Sequence, residues 1–154
     1  MPTVVPSEAI HPATWSPMGP NGPPGFLSMG QNSGALTSPL SVSTSGDYTV
    51  WLQGTFSRRV IVRINGQTVG TIRRQIGTAG QFLKVGTVRL QAGEQRVDII
   101  RPASYYAPGN VVGGELLGPL VLVRGDSPPA VQQIAPSKAR SLCGKSLQWL
   151  EIVK

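Results

Sequence analysis

At 154 residues the chain is long enough for one domain with a real core. Nineteen Gly and 14 Pro, with only 14% charged residues, leave little material for solvated amphipathic helices and point to an all-β chain. Fourteen Lys and Arg against seven Asp and Glu give a formal charge of +7, which favours an anionic partner without choosing among glycan, lipid surface and nucleic acid; a single cysteine, Cys143, excludes an internal disulfide.

The N-terminus "MPTVVPSEAIHPATWSPMGP" has no basic stretch followed by an apolar run, so no secretory signal is expected there, and no window is apolar for long enough to cross a bilayer. Residues 1–25, ending in "PMGPNGPPG", read as an extended arm or linker, and 26–154 as the domain. Trp15 is the exception in the arm. An indole in such a segment chiefly pins it to the domain, with ligand contact as the second role.

Short runs separated by turn residues follow: "FLSM", "GALTSPLSV", "DYTVWLQG", "RVIVRI", "QTVGTI", "QFLKVGTVRL", "QRVDIIR", "LLGPLVLV" and "LQWLEIV". Many short strands at this spacing predict an antiparallel sandwich or barrel. In "SGDYTVWLQG" the period of two puts Tyr48, Val50 and Leu52 on the core face and Trp51 opposite them.

The pair Asn65-Gly66 between two β-branched runs predicts a hairpin over 59–72 with a type I′ turn. A simple register would set Ile64 against Gln67, Val62 against Val69 and Val60 against Thr71, with Arg59, Ile61, Arg63, Thr68, Gly70 and Ile72 on the other face. The Ala92-Gly93 step predicts a second hairpin between Leu90 and Arg96. A short helical turn is expected after Pro136, and the segment 136–154 is expected to pack back on the sandwich.

Catalytic material is thin. His11 is the sole histidine and lies in the Pro-rich arm, and the proline pair in "GDSPP" forbids the helix that a nucleophile serine of that type needs after it. One His, one Cys and seven dispersed carboxylates give no spacing for zinc and no calcium loop, although a calcium ion held by backbone carbonyls would leave no mark in the sequence. No catalytic residue, metal ligand or cofactor is therefore assigned, and calcium stays open.

Two features remain. "PASYYAPGNVVGGE", from Pro102 to Glu115, offers Tyr105 and Tyr106 beside the amide of Asn110, a combination that matches the C–H face and hydroxyl fringe of a sugar; a packing lid is the equal alternative. Arg58, Arg59, Arg63, Arg73 and Arg74 gather around one hairpin and suit phosphate or uronate, or else form a solvated basic edge. Nucleic acid fits poorly, because no aromatics are interleaved with these arginines for base stacking.

The pattern of Gly46 to Trp51 ("GDYTVW"), Val60 to Gly70 ("VIVRINGQTVG") and Leu90 to Val97 ("LQAGEQRV") resembles carbohydrate-binding-module-like, galactose-binding-like jelly-roll domains, with Gln95-Arg96 where that pattern usually has a His. The likeness runs from Gly34 to Val123. The whole chain, "SKARSLCGKSLQWLEIV" included, is also similar to accessory domains of actinobacterial membrane glycosyltransferases of the cell envelope. The resemblance implies a non-catalytic sandwich, facing the envelope outside the cytoplasm, that binds a glycan or positions an attached enzyme. It supplies no binding residues, so Tyr105, Tyr106, Asn110, Trp15 and Arg63 rest on their chemistry. The competing expectation is an interaction domain that docks on a catalytic or membrane partner without sugar, through an apolar patch near Trp15, Trp51 or Trp149.

Overall fold

The computed structural model describes residues 1–20, 22–30, 32–73, 80–103, 115–125 and 136–143. Among these residues ten strands run in chain order: β1 (Thr3–Val4), β2 (Ser16–Pro17), β3 (Leu27–Ser28), β4 (Gly34–Val42), β5 (Gly46–Thr55), β6 (Val60–Ile64), β7 (Gln67–Ile72), β8 (Phe82–Leu90), β9 (Gly93–Arg101) and β10 (Leu116–Arg124). Short 3₁₀ turns cover Pro6–Glu8 and Pro136–Leu142. The strands form two antiparallel sheets, β2-β3-β10-β5-β8 with β1 also on β10, and β4-β9-β6-β7.

This is a two-sheet β-sandwich of jelly-roll type. From β4 onward the chain changes sheet at every connection except the β6–β7 hairpin. Alternation explains the core: Leu36 and Leu40 of β4, Tyr48, Val50 and Leu52 of β5, Val97 and Ile99 of β9, and Leu120 and Leu122 of β10 all point inward and are buried. Each such side chain contributes roughly 1.5–3 kcal/mol on burial.

Three expectations are corrected. Ile64 pairs with Gln67 and Arg63 with Thr68, but Val62 then pairs with Gly70 and Val60 with Ile72, because a bulge leaves Val69 without an opposite residue. The extra residue turns Ile72 into the core, where it is buried. The Ala92-Gly93 step makes a corner between sheets rather than a hairpin: β8 pairs with β5, and β9 pairs with β4 and β6. A turn signal specifies a reversal of direction, not which strand receives the hydrogen bonds. The N-terminal segment is also integrated rather than extended. Thr3–Val4 adds to β10, Ile10 bridges to Thr37, and Val4 and Pro6 are buried.

The bulge in β7 has a counterpart in β8, where Val85 is skipped between the Trp51–Lys84 and Val50–Gly86 pairs. The two meet where the sheets converge. A Cβ on Gly70 would stand 2.2 Å from the Val85 carbonyl oxygen, and one on Gly86 2.5 Å from that of Val69. The repeated "VGT" of Val69–Thr71 and Val85–Thr87 is thus a reciprocal backbone contact that only glycine permits.

Candidate functional site

The strand order gives the sandwich two ends. At the turn end, compact connections join β4 to β5, β6 to β7 and β8 to β9. At the loop end lie the turn around Met29 and Asn32, the connection Phe56–Arg59, Arg73 after β7, and the end of β9 at Arg101 with Glu115 before β10.

The loop end is built around a charged pair. On β9 the period of two that buries Val97 and Ile99 carries Arg101 inward as well, and its guanidinium meets the Glu115 carboxylate with Nη2 2.6 Å from Oε2. Arg101 Nη1 donates to the carbonyl of Asn32, and that carbonyl also accepts the Trp15 indole N–H at 3.3 Å. Glu115 Oε1 accepts the Ser57 amide at 2.9 Å and the Ser57 hydroxyl. Burial pulls the Arg101 guanidinium below its ordinary range; the Glu115 carboxylate opposes that shift, and the neighbouring charge of Arg58 adds to it. Arginine remains charged under such conditions.

Trp15 is 1% exposed and sits in the core, so it is removed from the ligand-binding set. Its ring anchors the N-terminal segment beneath the loop end. Tyr105, Tyr106 and Asn110 lie outside the described residues, as do Arg74 and the "LQWLEIV" run; the two residues bracketing the tyrosine segment, Arg101 and Glu115, are both described.

Of the arginines, Arg58 is half-buried and Arg59 and Arg73 are exposed, the latter two continuing the Val60–Ile72 pair outward at the loop end. Arg63 is exposed on the outer face of the β4-β9-β6-β7 sheet, opposite Asp98 and Thr68. That position is about 10 Å along β6 from Val60 at the strand rise, so Arg63 stands apart from the loop-end group. Asp98 accepts from Thr37 Oγ1 at 2.7 Å and pairs with Arg96 at 3.1 Å.

The described carboxylates do not converge. Asp47 is at the turn end, Asp98 on an outer face and Glu115 inside the loop end; Asp126 lies outside the described residues. Among the described residues no three of His, Cys, Asp and Glu come together to hold a metal, and both Asp98 and Glu115 are engaged by arginines. These carboxylates therefore do not fit a calcium cage. Among the described residues there is no apolar docking patch at Trp15 or Trp51 either. Trp51 is half-buried, Val121 and Val123 beside it are 4% and 7% exposed, and the large apolar side chains exposed among the described residues are Met1 and Ile10.

The same two-sheet jelly roll is seen in solved structures of carbohydrate-binding modules. The chain is similar to a GH26-CBM35 β-(1,4)-mannanase of Podospora anserina, with a TM-score of 0.59 and 19% identity over 84% of this chain and 29% of that one. A family 35 carbohydrate-binding module of Clostridium thermocellum gives 0.54 and 16% identity over 80% of this chain and 98% of its own. A family 36 module solved with calcium and xylotriose gives 0.54 and 11% identity over 79% and 98%. The chain thus spans 29% of the mannanase and nearly all of the two isolated modules. No family model and no curated protein matches the sequence.

Proposed function

We propose that this chain is a non-catalytic carbohydrate-binding accessory module whose loop end takes a glycan carrying acidic groups. The observation that carries this reading is the charge arrangement at that end. Glu115, the acid there, is engaged by the buried Arg101, and Arg58, Arg59 and Arg73 have no ion-pair partner among the described residues. Like charges held together at the rim cost stability unless an anion compensates them, and a guanidinium matches a uronate or phosphate in two-point geometry.

Tyr105 and Tyr106 supply stacking surface for sugar rings, and Asn110 bonds ring hydroxyls. Arg63, on the outer face of the sheet, reads an acidic group of a chain that extends beyond the loop end. The carbohydrate-binding modules that share this fold support the reading, among them the one solved with xylotriose. The module serves a parent or partner enzyme, a membrane glycosyltransferase being the kind that the resemblance suggests, at a site facing the cell envelope.

The test is a Tyr105→Ala/Tyr106→Ala variant in affinity electrophoresis against polygalacturonate. Binding is expected to vanish while the thermal transition stays within about 2 °C of the wild type. Collapse of the fold would instead make the tyrosines a packing lid.

A further inference from the structure

Arg101 ends β9 and Glu115 precedes β10, so the pair stands at the two bases of the segment that carries Tyr105, Tyr106 and Asn110. Its side chains are 2% and 5% exposed. Their remaining bonds reach three other parts of the chain. Arg101 binds the Asn32 carbonyl, Glu115 binds Ser57, and the Asn32 carbonyl links on to Trp15. The backbone adds a fourth tie, from the Met29 amide to the Glu115 carbonyl at 2.9 Å.

Stability alone does not call for this arrangement. Well-packed apolar residues of similar volume often replace a buried ion pair at no cost, whereas taking away one partner strands a buried charge. What the ionised pair supplies that apolar side chains do not is direction. A guanidinium is a planar fork that fixes a carboxylate and a carbonyl at set angles, and the carboxylate fixes Ser57 in turn. Ser57 directly precedes Arg58 and Arg59, so its anchorage sets where those two arginines begin.

We propose that the Arg101–Glu115 pair is a positioning device for the loop end: it ties the Met29–Asn32 turn, the Ser57–Arg59 connection and the Trp15 anchor to the bases of segment 102–114. These described parts of the loop end are then held as one preorganised unit, and affinity follows from the ordering already done before a ligand arrives. The affinity arm of the test rests on the glycan-binding reading; the exchange arm does not.

The experiment uses the full chain and two variants. Arg101→Met with Glu115→Leu removes both charges together, and Arg101→Lys keeps the charge but loses the fork. In the double variant, hydrogen exchange at the Met29 and Asn32 amides and the Trp15 indole N–H is expected to rise about tenfold or more, while Val50 and Val62 in the core keep wild-type rates. Affinity for polygalacturonate is expected to fall about tenfold. Arg101→Lys should lie between, and it decides the matter by the same readings if the double variant does not fold. Unchanged exchange at Met29, Asn32 and Trp15 would overturn the proposal, as would a rise shared equally by Val50 and Val62, the mark of a merely stabilising pair. Wild-type failure to bind polygalacturonate would count against the acidic-glycan reading and leave the exchange result to judge the pair.

Discussion

The two ends of the sandwich are closed by opposite means, and one row of side chains on β9 displays both. Gln95, Val97, Ile99 and Arg101 all face inward and are buried. At the turn end Gln95 donates to the carbonyls of Gln91 and Gly93 at 2.9 and 3.3 Å and accepts from Asn65 Nδ2 at 2.7 Å. Asn65 in turn accepts from the Arg96 amide at 2.9 Å, and Ser45 bonds both Gln91 and the Ala92 amide. Every bonding group in that network is neutral, and together the bonds join the three turns to the start of β9. At the loop end the last residue of the row is an arginine whose partners come from segments far apart in sequence, and further arginines remain around it. Closure by neutral bonds makes a self-contained cap. Closure by charge leaves a cationic rim, and it is to this end that the proposed glycan is assigned.

The sharpest way to break the comparison is to unbalance the charged end. Arg101→Ala leaves Glu115 buried without its cation and should cost about 3–5 kcal/mol in urea unfolding; a loss below about 1 kcal/mol would mean that water reaches the carboxylate. At the turn end Gln95→Ala should cost less, about 1–3 kcal/mol, because the groups stranded there are neutral. Polygalacturonate binding at a temperature where the Gln95 variant is folded should equal that of the wild type, and reduced affinity would undo the division between the two ends. Ser45→Ala removes more exposed bonds and should cost about 0.5–1.5 kcal/mol by the same measurement. The smallest stability effect belongs to Arg59→Gln/Arg73→Gln, within about 0.5 kcal/mol of the wild type. Yet this variant should lose most of the salt-dependent part of acidic-glycan binding, read as the slope of affinity against ionic strength.

Much of this was legible in the residues. Strict alternation in "DYTVWLQG" and "QRVDIIR" gives the strands and their inward faces, and Asn65-Gly66 gives its turn, with φ values of 52° and 80°. What escaped depends on contacts between segments distant in sequence. The bulge at Val69 arises where Gly70 meets Val85 across the sheets, and nothing local to the hairpin announces it. The N-terminal segment lacks periodicity because its two-residue strands are too short to show any. The signal for Arg101 was present: extending the alternation of Val97 and Ile99 by one step puts an arginine on the core face, where it needs an acid. Glu115 was not identifiable as that acid, since only the fold brings the two ends of the intervening segment together. Trp15 was readable as an anchor or as a ligand contact, and burial decides for the anchor.

The most direct test of the central claim is calorimetric titration of the isolated chain with polygalacturonate and with a neutral xylan, at low and at physiological salt, with and without a chelator. The account predicts saturable binding to the acidic polymer that persists at physiological salt, exceeds binding to the neutral one and is unchanged by the chelator. Binding to neither polymer, or to the acidic one only at low salt, would contradict it and reduce the arginines to a solvated rim.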